Sequence, residues 1–122
     1  MKDIKLLEIT DEALEQYRTT VRGNENITYD QAQRKLTRNV ILVKDFAPER
    51  IKRSWLTLGK NFAYGNLHII VRSGKIIKIV NHKGRKQDSW NPPKHEYIKL
   101  CKLLGIEDNK YKKKKFKKVT YK

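Results

Sequence analysis

The chain has 122 residues, one cysteine and a formal net charge of +16. At this length it is one domain, able to bury a core of a sheet plus two or three helices, and Cys101 alone supports neither a disulfide framework nor a thiolate zinc site within one chain. No apolar run approaches the ~18 residues of a membrane span, and Asp3 and Glu8 stand where a secretory signal would be basic and then apolar, so the expectation is a cytoplasmic protein in a reducing compartment with no membrane contact.

In chain order, Ile4, Leu6, Leu7 and Ile9 suit a short strand or an extended lead-in. Thr10 is a good N-cap, with Asp11 and Glu12 where a helix dipole favours negative charge; Ala13, Leu14, Tyr17 and Val21 recur at helical spacing, and Gly23-Asn24 closes a helix over roughly 11–22. Thr28-x-x-Gln31 is a capping box opening a second helix, with Ala32 and Leu36 as its stripe, through about Arg38. The apolar run Val40–Val43 predicts a buried strand, and the alternation over Arg53–Leu58 a second one, with Trp55 in the core. Gly59-Lys60-Asn61 then reads as a turn.

The segment 65–84 is the clearest in the chain: two β-branched runs joined at Ser73-Gly74, a hairpin centred on Leu67–Val80. A regular two-residue hairpin pairs Arg72 with Lys75, Val71 with Ile76, Ile70 with Ile77, Ile69 with Lys78, His68 with Ile79 and Leu67 with Val80. That register puts Leu67, Ile69, Val71, Ile76 and Val80 on one face with Lys78, and Ile70, Ile77 and Ile79 on the other with His68, Arg72 and Lys75. After a basic loop, Asn91-Pro92-Pro93 predicts a helix start, with Tyr97, Ile98, Cys101 and Leu104 facing inward and Gly105 as the stop. The fold class expected is α+β over 1–108: an antiparallel sheet of about four strands, two N-terminal helices and one C-terminal helix. Residues 109–122 are expected to form a disordered lysine-rich tail.

Charge is unevenly spread. Residues 1–30 hold seven acids and four bases, a net of −3, leaving +19 for the rest; residues 110–122 carry eight lysines and no acid, so residues 31–109 still hold +11. Such a surplus calls for a polyanion or an acidic protein, and nucleic acid is the commonest such partner.

Ile9-Thr10-Asp11-Glu12-Ala13-Leu14-Glu15-Gln16-Tyr17-Arg18, followed by the helix with Ala32 and Leu36 and then by hairpin strands, resembles small phage and bacterial domains of the RelE/barnase-like superfamily, over about residues 9–82. The resemblance implies helices before a twisted antiparallel sheet that binds or cleaves RNA without a metal. Relatives of that kind often carry a histidine where Glu12 stands and basic residues at Gln16 and Thr20, so this first helix lacks the family's cations and looks more like a retained scaffold than a retained ribonuclease.

Metal-independent cleavage needs a base, an acid and a cation for the developing phosphorane charge. His68 and His82 are the candidate catalytic residues, with Tyr64 of a suitable type nearby. His68 begins one strand and His82 follows the end of its partner, so the two can approach, whereas Arg72 lies about four residues or ~13 Å away along the strand. Candidate nucleic-acid-binding residues are Arg72, Lys83, Arg85, Lys86 and Trp90, cations beside an indole that can stack on an unpaired base, together with Lys112, Lys113, Lys114 and Lys115 for sequence-independent affinity. The alternative for Trp90 is packing on the last helix. No cofactor or metal is expected: phosphate-binding glycine loops, metal-ligand clusters and Ser-His-Asp arrangements are undetectable, and His95-Glu96 lacks the second histidine of a zinc protease helix. Three functions therefore compete: an RNA-binding protein, a metal-independent endoribonuclease, and a phage-type inhibitor or regulator docking on an acidic host or antitoxin protein.

Overall fold

The computed structural model describes residues 4–54, 59–82 and 88–106. Along the chain run β1 (Glu8–Ile9), α1 (Asp11–Thr20), α2 (Tyr29–Phe46), β2 (Ile51–Ser54), β3 (Gly59–Tyr64), β4 (Leu67–Arg72), β5 (Lys75–Asn81) and α3 (Lys94–Leu104), with a single 3-10 turn, Pro48–Arg50, leading into β2. Thr10 and Thr28 cap α1 and α2 as the sequence suggests, their hydroxyls accepting from the Ala13 and Gln31 N–H groups.

The fold is α+β, but the sheet is mixed and has five strands, in the order β1-β5-β4-β3-β2, where a four-stranded antiparallel sheet was expected. Strands β2 to β5 form an antiparallel meander, and β1 lies parallel to β5, Glu8 opposite Lys75 and Ile9 opposite Ile76. Beyond these two residues α1 covers the edge of β5: the Ile79 N–H donates to the Gln16 side chain, Oε1, at 2.8 Å, and the Asn81 side chain of β5, Nδ2, donates to the Thr20 carbonyl at 2.8 Å. The Gln16 amide thus satisfies an edge N–H that would otherwise stay open.

Val40–Val43 is not a strand. It is the second half of α2, and the run is apolar throughout because this helix is buried on two sides. Ala32, Leu36, Val40 and Val43 face the sheet beside Ile9, Ala13, Tyr17, Phe62, Ile69, Ile76 and Ile79. Leu42 turns instead toward Tyr97, Leu100, Cys101 and Leu104 of α3. Between the helices, Arg38 is buried with Nε donating to Asn39 Oδ1 and its guanidinium 4.5 Å over the Tyr97 ring. Burial raises the Tyr17 hydroxyl to about 12, against the opposing pull of Arg38.

The strand expected over Arg53–Leu58 instead spans Ile51–Ser54; Trp55 lies outside the described residues. Gly59-Lys60-Asn61 is strand rather than turn, and glycine is needed there because a Cβ at Gly59 would stand 2.7 Å from the Val71 carbonyl oxygen. Asn91 does not cap α3; Pro93 occupies the N-cap position without a side-chain bond, while Gly105 ends the helix at φ 68 as expected.

The central hairpin turns at Ser73 (φ 51) and Gly74 (φ 76), the pair of positive angles of a type I′ turn. Its register is regular for only two pairs. Past Val71–Ile76 a bulge intervenes, and the partners become Ile70–Lys78, Ile69–Ile79, His68–Val80 and Leu67–Asn81. The physical reason is burial: the regular register would bring Lys78 onto the core face, whereas one extra residue at Ile77 lets Ile76 and Ile79 both point inward, at 0% and 2% exposure, and leaves Lys78 outside.

Candidate functional site

The same bulge builds the site. In a regular hairpin His82 would fall on the opposite face from His68; after the bulge Val80 and His82 share His68's face. The His82 N–H prolongs the ladder by donating to the Asn66 carbonyl at 3.0 Å. The two imidazoles meet edge to face with centroids 4.4 Å apart.

The surrounding groups come from the β3–β4 turn and from the segment entering α3. Asn66, in that turn, holds both ends of the 83–87 connection: its Oδ1 accepts from the Asp88 N–H at 2.9 Å and its Nδ2 donates to the His82 carbonyl at 3.4 Å. Asp88 forms an Asx turn, Oδ1 accepting from the Trp90 N–H at 3.0 Å, and its other oxygen pairs with Arg50. Arg50 Nε also donates to the Ala63 carbonyl at 2.9 Å, and its guanidinium lies 5.1 Å over the Trp90 ring. Trp90 in turn meets Tyr64 edge to face at 5.6 Å and packs against the main core.

Electrostatics differentiate these groups. The Trp90 N–H, and then Arg50, hold the Asp88 carboxyl below the usual carboxylate range. Burial lowers His68, with His82 and Arg50 acting in the same direction and Asp88 against it, so its imidazole is neutral at pH 7. The Asn61 amide stands 3.1 Å from His68 Nδ1, and its orientation decides which ring nitrogen carries the proton. A neutral imidazole beside a second one, with a guanidinium close by, can exchange protons with a hydroxyl.

The helices pack on the other side of the sheet. On the histidine face the register aligns Lys52, Asn61, Ile70 and Lys78 in one row across β2 to β5, with Ala63, His68 and Val80 in the next, and Arg72 beside Lys75 toward the hairpin turn. Lys52, Arg72, Lys75 and Lys78 are exposed, and these rows of β2 to β5 contain no acid; Glu8 on β1 reaches Lys75 at 3.8 Å.

Of the residues singled out from sequence, His68 and His82 are brought together, while Trp90 stands against Tyr64 and the main core, with one face taken by Arg50. Arg72 sits at the far end of the hairpin. Lys83, Arg85, Lys86 and Lys112 to Lys115 lie outside the described residues. Sequence reasoning missed Arg50, Asn61, Asn66 and Asp88. Only Asp88 left a local signal, the Asx pattern two residues before Trp90. Among the described residues no group of three or more metal-ligating side chains converges, and no helix is long and apolar enough to cross a membrane.

No solved structure matches the chain. A curated relative from Bacillus subtilis (strain 168), the SPbeta prophage-derived uncharacterized protein YorE, is 44% identical over 121 residues, covering 97% of this chain and 93% of its own. The YorE family model matches residues 7–103, and with both agreements spanning nearly all of the described fold, the chain belongs to the YorE family.

Proposed function

We propose that the chain is a small basic phage-type protein that binds single-stranded RNA along the histidine face of its sheet. The observation that carries this reading is the acid-free arrangement of Lys52, Arg72, Lys75 and Lys78 running toward the His68–His82 pair. Lysine and arginine on a rigid sheet fix the path of a phosphate backbone, while Asn61 and the imidazoles supply the donors and acceptors that a 2′-hydroxyl uses. In sequence Lys83, Arg85 and Lys86 stand between His82 and Asp88, both of which Asn66 holds. The prophage origin of the relative agrees with a phage-type protein and leaves the nucleic acid open.

The test is anisotropy of a labelled single-stranded RNA, and of DNA of the same sequence, titrated with the full chain over a range of salt. Binding is expected to fall with a log–log slope of about 0.7 per phosphate contact, and Lys52→Glu with Lys78→Glu to weaken it about tenfold or more. Replacing Asn61 and His68 by Ala should reduce the preference for RNA over DNA. Affinity unchanged by the two charge reversals would defeat the proposal, and a nuclease-resistant stoichiometric complex with an acidic protein would replace it.

A second reading, metal-independent RNA cleavage, is favoured by the imidazole pair at 4.4 Å and by the neutral state of His68. One imidazole would take the 2′-hydroxyl proton and the other would protonate the leaving oxygen. Cleavage in chelator that disappears in both His68→Ala and His82→Ala is its expected signature. Intact RNA after prolonged incubation with the unaltered chain leaves binding alone.

A further inference from the structure

The opposite end of the β4–β5 hairpin opens onto a second feature, on the helix side of the sheet. A cavity of about 750 Å³ lies between α2 and the strands, floored by Leu7, Val40, Ile51, Phe62 and Val71. Its volume falls within the ~300–1,000 Å³ of small-molecule sites, and its floor has their apolar character. Among the described residues four cations line it, Lys44, Arg53, Lys60 and Arg72, and no acid does.

These cations are unusual in what they lack. Arg34–Asp30, Arg50–Asp88 and Lys75–Glu8 are ion pairs among the described residues, and none of the four takes part in them. Arg53 and Lys60 are direct cross-strand partners on β2 and β3, an opposition of like charges that destabilises a sheet. Lys44 stands in the last turn of α2, where the helix dipole welcomes a cation. That accounts for Lys44 and leaves the other three unexplained. A fold that sets cations from a helix and three strands around one apolar floor is complementary to an anion with an apolar part.

We propose that this cavity binds a small ligand with an apolar or flat aromatic body and a multiply charged phosphate head. The body lies on Phe62, Val40 and Val71, and the head among Arg53, Lys60 and Arg72 beside the Ser73–Gly74 turn. Two ligand sources share this chemistry, nucleoside polyphosphates and isoprenyl diphosphates. The inference does not rest on RNA binding: Arg72, at the end of β4, is the one residue the two sites share, and the rest of the cavity lies on the other side of the sheet from the histidines.

Calorimetric titration of the full chain with ATP, geranyl diphosphate and inorganic pyrophosphate separates the possibilities. At least one of the two larger ligands is expected to bind one to one and about tenfold or more tighter than pyrophosphate. Lys60→Glu should weaken that ligand by about tenfold or more, because it places a carboxylate at the head's position, while Lys52→Glu with Lys78→Glu should change it less than about twofold. If Lys60→Glu fails to fold by circular dichroism, Lys44→Glu, at an exposed helical position, carries the same expectation. Tightest binding by ATP assigns a nucleotide site, and tightest binding by geranyl diphosphate an isoprenoid one. Pyrophosphate equal to both, equal losses from the two faces, or no heat from any of the three would overturn the proposal.

Discussion

The two ends of the central hairpin are built on opposite principles. At the β3–β4 end, polar groups are matched: Asn66 holds His82 and Asp88, Asp88 meets Trp90 and Arg50, and His68 faces Asn61. At the Ser73–Gly74 end, Arg53, Lys60 and Arg72 surround an apolar floor with no counter-charge. The first end fixes its groups in one geometry, as proton exchange or base recognition requires. The second keeps an unbalanced charge, which the proposed anionic ligand would neutralise. One strand pair therefore carries a preorganised polar cluster at one end and an electrostatic demand at the other.

The bulge at Ile77 joins the two, and exchanging the outward and the inward residue that follow it, Lys78→Ile with Ile79→Lys, is the harshest way to break the comparison. With the bulge kept, a lysine takes the position of Ile79, 2% exposed on the face of Phe62 and Ile69. The expected cost is about 3 kcal/mol or more, the scale of an uncompensated buried charge, read from urea unfolding. Wild-type stability in this variant would mean that the hairpin can take the regular register and that the bulge is incidental to both ends.

A smaller effect is expected from Asn66→Ala, which removes the acceptor for Asp88 N–H and the donor to the His82 carbonyl. A loss of about 1–3 kcal/mol follows from stranding those partly buried groups. The change should stay local: amide exchange should quicken at residues 82 and 88 and not at Ser73–Gly74. Equal quickening at both ends would show that the hairpin opens as one unit and that the distinction between its ends is false.

Titration probes the histidine end, through His68 and Asp88. His68 is held below its usual 6.5, so the unfolded chain takes up its proton first and stability rises with pH; its contribution is present above about 6.5 and is lost as pH falls through the lowered value. Asp88 is held below 3.8, so its contribution persists to more acid conditions and is lost as pH falls through its own lowered value. Melting temperatures from pH 8 to pH 3 should thus fall in two windows, with His68→Gln flattening the upper and Asp88→Asn the lower. An unchanged upper window in His68→Gln would assign it to other groups.

What could be read from the sequence follows from how local each cause is. Caps at Thr10 and Thr28, the stop at Gly105 and the turn at Ser73-Gly74 are decided within a few residues and were legible. The approach of His68 and His82 was legible from strand ends alone, although the bulge that sets both on one face was not. Its warning was there in Lys78, a charge on an otherwise apolar row. The second half of α2 was misread as a strand because its run is apolar on two sides, which only the docking of α3 explains. β1 was ambiguous because its parallel partner lies on the far side of two helices in the chain. Arg50, Asn66 and the charged cavity depend on contacts between distant segments, which no window of sequence contains.

The mildest expected effect concerns the cavity end and tests whether its charge is a cost. Arg53 and Lys60 face each other across β2 and β3, so Lys60→Gln removes a repulsion while keeping a long polar side chain at an exposed position. Stability should rise by about 0.2–1 kcal/mol at low salt, the scale of a cross-strand pair. In ~1 M salt, where the screening length falls to ~3 Å, the gain should shrink toward zero. Lys52→Gln provides the contrast: its cross-strand partner is Asn61, and the same loss of charge there relieves no direct like-charge opposition. Thermal unfolding of the two variants at two salt concentrations therefore distinguishes a specific cost at the cavity from the general self-repulsion of a basic chain. A gain at Lys60 that exceeds the gain at Lys52 and vanishes in salt means that the fold maintains charge at the cavity against its own stability. Equal gains at both positions would reduce the cavity cations to part of the overall surplus.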